Sequence, residues 1–274
     1  MNLRSIQITN FSFRNLSKRI GIFIVPILLF QNCYLNPFVY DLLNPDIEEE
    51  NKSGLLLGLS GISSSIYVTG IIRNGSGVAQ ENKEYTVVSS DGNVFGIDSS
   101  GTTDKSGRFY LSIGQGDTKI RVTELGEDLV TFTINANGPM IQLKTVDPVN
   151  YEIESLFMYN PGNKPMFFDL VSTSPANNES YFGLNPNLTL TFSDSVPEWD
   201  LSTLSSLVAN NIFVSPAGMS IMSPSISPPN TIILMTNVSV YSTQYTVQFG
   251  PGFYSATNVP LTPRSVKFTL LTPP

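Results

Sequence analysis

One cysteine and no histidine in 274 residues decide most of the chemistry open to this chain. Without an imidazole there is no Ser-His-Asp or Cys-His nucleophile, and the commonest zinc ligand is missing. The single thiol, Cys33, cannot form an internal disulfide and is free for other work. The remaining candidates are carboxylates and aromatics. Asp194, Glu198 and Asp200 flank Trp199, the only tryptophan. Two such acids at a defined separation can cleave a glycoside, one protonating the leaving oxygen and the other serving as base or nucleophile. A solvated loop beside one exposed or half-buried aromatic is the simpler account of the same residues. Trp199 with Phe253 and Tyr254 is also a candidate binding loop, because aromatic anchors concentrate binding energy. Asp91, Asn93, Asp98 and Asp104 offer oxygens to calcium, but turn chemistry explains them without an ion.

No S-x-x-K dyad, G-x-x-x-x-G-K loop or complete G-x-G-x-x-G occurs. The expectation is therefore no catalytic residue, no cofactor and no metal. A formal charge of −7 and a pI near 4.6 argue against nucleic acid as a partner, since displacing phosphate counterions requires a basic face.

The elements that must position these residues follow from pattern. Residues 1–32 carry Arg4, Arg14, Lys18 and Arg19 without one acid, followed by "IGIFIVPILLF". An apolar stretch of about eleven residues is too short to span a bilayer and has the build of an export signal. Residues 33–64 read as a tether, because Asp46, Glu48, Glu49 and Glu50 repel one another and extend the chain. Within it "LLLGLSG" is either weakly ordered linker or a sticky turn on lipid or on the first domain.

Beyond the tether, 20 Gly and 19 Pro punctuate short runs rich in β-branched and aromatic residues, the composition of an all-β protein. In residues 65–145 the apolar positions alternate at Phe109, Leu111, Ile113, at Ile120, Val122, and at Val130, Phe132, Ile134. Asp104-Lys105-Ser106-Gly107 fits a tight turn closing a hairpin, with Gly107 in left-handed geometry. Residues 146–165, "VDPVNYEIESLFMYNPGNKP", read as a proline-rich linker. In residues 166–274, Leu188, Leu190, Phe192, then Tyr245, Val247, Phe249, then Val266, Phe268, Leu270 each mark one strand face, and "TIILM" reads as a buried strand. The fold expected is two β-sandwiches in tandem after a signal peptide and flexible tether.

Three resemblances sharpen this reading. Phe30-Gln31-Asn32-Cys33 with the following "CYLNPFVYDLLNP" resembles the signal junction of spirochaetal-type bacterial lipoproteins, which implies cleavage before Cys33, diacylglycerol on its thiol and a place in the cell envelope at the outer membrane. The other reading of Cys33 is a small buried hydrophobe in an uncleaved anchor. "VTGIIRNGSG" and "TTDKSGRFYLSI" resemble the carboxypeptidase-regulatory-like (transthyretin-like) β-sandwich, which implies an accessory domain without catalysis. "VSTSPANN", "NPNLTLTFSDSV" and "STQYTVQF" resemble bacterial Ig-like domains. Together they imply a lipid-anchored, non-catalytic binding, adhesion or structural module. Its partners would be the membrane through Cys33 and an extracellular protein or glycan. The alternative is a carbohydrate-active enzyme or its accessory domain.

Overall fold

Strict alternation makes β6, Glu127–Asn137, the spine of the first sandwich: Val130, Phe132, Ile134 and Ala136 all face inward and are buried. Each large side chain so removed from water contributes roughly 1.5–3 kcal/mol. The computed structural model describes residues 65–92 and 99–272. Cys33, the proposed signal and the tether lie outside the described residues, as do Asn93 and Asp98. No helix among the described residues is long and apolar enough to cross a membrane.

The other strands of this sandwich are β1 Ile66–Arg73, β2 Glu84–Ser90, β3 Ser100–Thr102, β4 Arg108–Ile113, β5 Gly116–Glu124, β7 Met140–Asp147 and β8 Glu152–Met158. They form a five-stranded sheet, β3-β2-β5-β6-β7, facing a three-stranded sheet, β4-β1-β8. Phe109, Leu111 and Ile113 of β4 meet Ile120 and Val122 of β5 in the core, with the faces their alternation predicts.

Two expectations need correction. The stretch 146–165 is not simply linker, because β8 lies within it and pairs with β1, Val68 opposite Met158 and Arg73 opposite Glu152. Its sequence hides the strand because a bulge interrupts the alternation, with Ser155 at φ 49°. Residues 104–107 do form the tight turn, with Gly107 at φ 73° donating its N–H to the Asp104 carbonyl at 2.9 Å. The flanking strands are not a paired hairpin, however: β3 pairs with β2 and β4 pairs with β1, so the turn carries the chain from one sheet to the other. Thr103, fully buried, holds the corner by donating to the Gln80 carbonyl and accepting from Lys83 N–H.

The second sandwich comprises β9 Leu170–Ser174, β10 Glu179–Phe182, β11 Leu188–Phe192, β12 Ile212–Ser215, β13 Met219–Ser227, β14 Thr231–Val238, β15 Thr243–Phe249 and β16 Arg264–Leu271. Its sheets are β10-β16-β15-β12 and β13-β14-β11-β9. The faces read from Leu188, Tyr245 and Val266 onward are all buried, and Phe168 stacks on Phe192 at 5.0 Å. One helix, α1, Leu201–Asn211, was not foreseen; it buries Leu204 and Val208, one turn apart, against the core. Pro224 in β13 is tolerated because β13 is an edge strand.

Candidate functional site

Where the two sandwiches meet, charge is buried. Arg108 opens β4 and is fully buried, as is Asp169 just before β9. The guanidinium donates through Nε to Asp169 Oδ2 at 2.7 Å and through Nη2 to Oδ1 at 2.9 Å, a bidentate pair. The Phe167 ring lies 3.5 Å from the guanidinium carbon and the Phe157 ring 5.9 Å away. Burial pushes the Asp169 carboxyl up, but the Arg108 hydrogen bonds and charge outweigh it and hold it below the usual carboxylate range.

A second cluster adjoins the first. Arg73, at the end of β1, donates to Glu154 Oε2 at 2.7 Å and to the carbonyls of Gly77 and Val171. Arg264, opening β16, donates to the same Gly77 carbonyl at 3.0 Å, and its Nε lies 3.5 Å from Glu154. Burial, followed by the charge of Arg73, lowers Arg264 to about 10, so it remains a cation at neutral pH. Backbone bonds from Ala79 N–H to Val171 and from Asn177 N–H to Ser76 bring the β1–β2 loop against the second sandwich. Gly77 is required there: its φ is 73°, and a Cβ would stand 2.6 Å from that of Asn177. The two sandwiches fall within one compact unit.

Beside this junction opens a cleft of about 540 Å³. Leu143 and Val146 of β7, with Tyr151, Glu152 and Ile153, form the wall from the first sandwich; Asn177, Ser265 and Lys267 face them from the second. Burial, and then the adjacent Glu154 charge, raises the Glu152 carboxyl above its ordinary value. A mixed apolar and polar concavity of this size between domains is a usual place for a ligand.

The residues singled out from sequence sit elsewhere. Trp199, Phe253 and Tyr254 do come together: Trp199 meets the Tyr254 ring edge-on at 5.3 Å and donates its Nε1–H to Tyr254 Oη at 3.0 Å. Phe253 is a core residue, 1% exposed, and Trp199 packs against that same core, so Phe253 is removed from any ligand-contacting role. Asp200 is the helix N-cap, accepting from Thr203 N–H at 2.8 Å and Thr203 Oγ1 at 2.9 Å; these bonds hold its carboxyl low. Asp194, exposed, accepts from the adjacent Ser195 N–H, and Glu198 is exposed. Asp104 accepts from Ser106 and Arg108 N–H groups, and Asp91 accepts from Asp117 N–H, so both serve turns. Among the described residues no group of three acids, histidines or cysteines is placed to hold a metal.

The junction was missed from sequence because a buried arginine in a strand looks like any exposed one. The available signal was "GRFYLSI", where Arg108 starts an otherwise apolar strand.

The family model described as a bacterial Ig-like domain matches residues 166–270. No curated protein matches the chain. These comparisons lend no support to the carboxypeptidase-regulatory-like or lipoprotein resemblances. The match begins at Met166 and runs into β16, so the second sandwich, including Asp169 and Arg264 of the junction, is similar to bacterial Ig-like domains.

Proposed function

We propose that the chain is a non-catalytic binding module of the cell envelope, tethered by lipid on Cys33 and presenting its two sandwiches as one body with the cleft between them as its recognition surface. The observation that carries this reading is the buried Arg108–Asp169 pair, which joins the two sandwiches whose faces form the cleft. A preformed concavity loses little conformational freedom when it takes a ligand. An Ig-like domain is consistent with such a role. The basic segment and apolar run ahead of Cys33 support the tether, and two or more acyl chains at about 0.8 kcal/mol per buried methylene make an anchor without a transmembrane helix. The outer membrane is the proposed location, and an extracellular protein or glycan the proposed class of partner.

The test uses Cys33→Ala beside the wild-type chain. Loss of acyl labelling and accumulation of full-length precursor are expected; normal detergent partitioning of a mature-sized variant would sink the tether. Turnover of a glycan by the purified chain, abolished by Asp194→Asn or Glu198→Gln, would replace the module with an enzyme.

A further inference from the structure

Glu152 and Glu154 stand two apart on β8, but their surroundings differ. Arg73 and Arg264 both lie on Glu154, at 2.7 and 3.5 Å. Arg264 and Arg73 attract Glu152 from a distance, but among the described residues no cation forms an ion pair with it, and it is half-buried in the cleft wall. Its neighbours there are Leu143, Val146 and Ile153, apolar side chains left partly open to water. A carboxylate withdrawn from water, repelled by an adjacent one and flanked by apolar surface gains most from a ligand that brings both a cation and a hydrocarbon stem.

The opposite wall offers donors. Asn177 uses its Oδ1 to accept from the Lys267 N–H, which leaves the Asn177 amide N–H groups directed elsewhere. Neither they, nor Ser265 Oγ, nor Lys267 Nζ has a hydrogen-bond partner among the described residues. Donors facing an acid and an apolar strip match backbone carbonyls on one side of a strand and a basic side chain on the other.

Resting on the binding-module reading, we infer that the cleft takes an extended polypeptide segment bearing an arginine or lysine between apolar residues, with the basic side chain on Glu152 and its backbone carbonyls toward Asn177, Ser265 and Lys267. The strand β7 beside it is the outermost of its sheet, so its outward backbone groups are available to such a segment.

The experiment titrates the full chain in detergent with the blocked peptide acetyl-Gly-Val-Arg-Val-Gly-amide and with its citrulline counterpart, which keeps the shape and removes the charge. Saturable binding of the arginine peptide is expected, at least tenfold weaker for the citrulline peptide and for Glu152→Gln. Leu143→Arg, which brings a guanidinium into the cleft from the chain itself, should abolish it while leaving the unfolding midpoint near wild type. Equal affinity for both peptides, or undiminished binding by Glu152→Gln or Leu143→Arg, would overturn the inference. Absence of saturable binding would overturn it too, while leaving the module reading standing. Cleavage of the peptide would overturn the module reading instead, whatever the affinity.

Discussion

Arg108 and Asp169, sixty-one residues apart and in different sandwiches, share two hydrogen bonds of 2.7 and 2.9 Å with both side chains sealed from water. Such a pair adds little net stability over a well-packed apolar contact, yet removing one partner strands a buried charge.

Asp169→Ala should therefore destabilise the chain by about 3–5 kcal/mol, whereas the double variant Arg108→Met with Asp169→Leu should cost far less than either single change. Denaturant unfolding of the three variants checks this, and additive losses would contradict it.

Acid should loosen the same junction. Asp169 has a folded-state carboxyl below its unfolded value of about 3.9, so the stability it supplies is present above that value. That stability is lost as pH falls through the lowered folded value. Unfolding midpoints measured from pH 7 down to pH 2 should decline below about pH 4 in wild type, and less steeply in the double apolar variant.

Gly107→Val should destabilise the first sandwich by about 2 kcal/mol or more, because a β-branched residue is strained at φ 73°. Space compounds the strain: a Cβ would lie 2.7 Å from Gln80 N and 2.8 Å from the Ile72 carbonyl oxygen, both backbone atoms. An unfolding midpoint equal to wild type would refute the assignment.

Trp199→Ala should act on stability before it acts on recognition. Its half-buried indole packs against Phe253 and the core, so the loss is put at about 2 kcal/mol, below that of a fully buried aromatic. Tyr254→Phe removes one hydrogen bond and should cost about 1 kcal/mol. Thermal melts of the two variants, beside their binding of the arginine peptide, separate the effects: lower midpoints with unchanged affinity are expected.

Strands such as β6, β11, β15 and β16 were legible because one face is buried and the other wet, which writes a period of two into the sequence. β8 was not, because its bulge breaks the period and every residue in it is half-buried. α1 had a readable cap in Asp200 and apolar residues at Leu204, Leu207 and Val208, but polar serines and asparagines between them resembled a loop. Of the three aromatics named from sequence, Trp199 and Tyr254 are half-buried and only Phe253 is core, a difference that sequence spacing hardly reports. Arg73, Arg108 and Arg264 were invisible as a set because their partners lie far along the chain.

The pairing of β1 with β8 has a mechanical consequence. Val68 lies opposite Met158, so the chain enters and leaves the first sandwich side by side at one end. A pull between residues 66 and 159 would load that ladder like a zipper, its bonds yielding one after another instead of sharing the force. While Asp169 holds Arg108, part of any tension arriving from the second sandwich passes into β4 through the ion pair instead of through the end of β8. The buried pair, with the Ala79–Val171, Asn177–Ser76 and Arg264–Gly77 bonds beside it, thus acts as a strain relief that shares the load before it reaches the β1–β8 ladder.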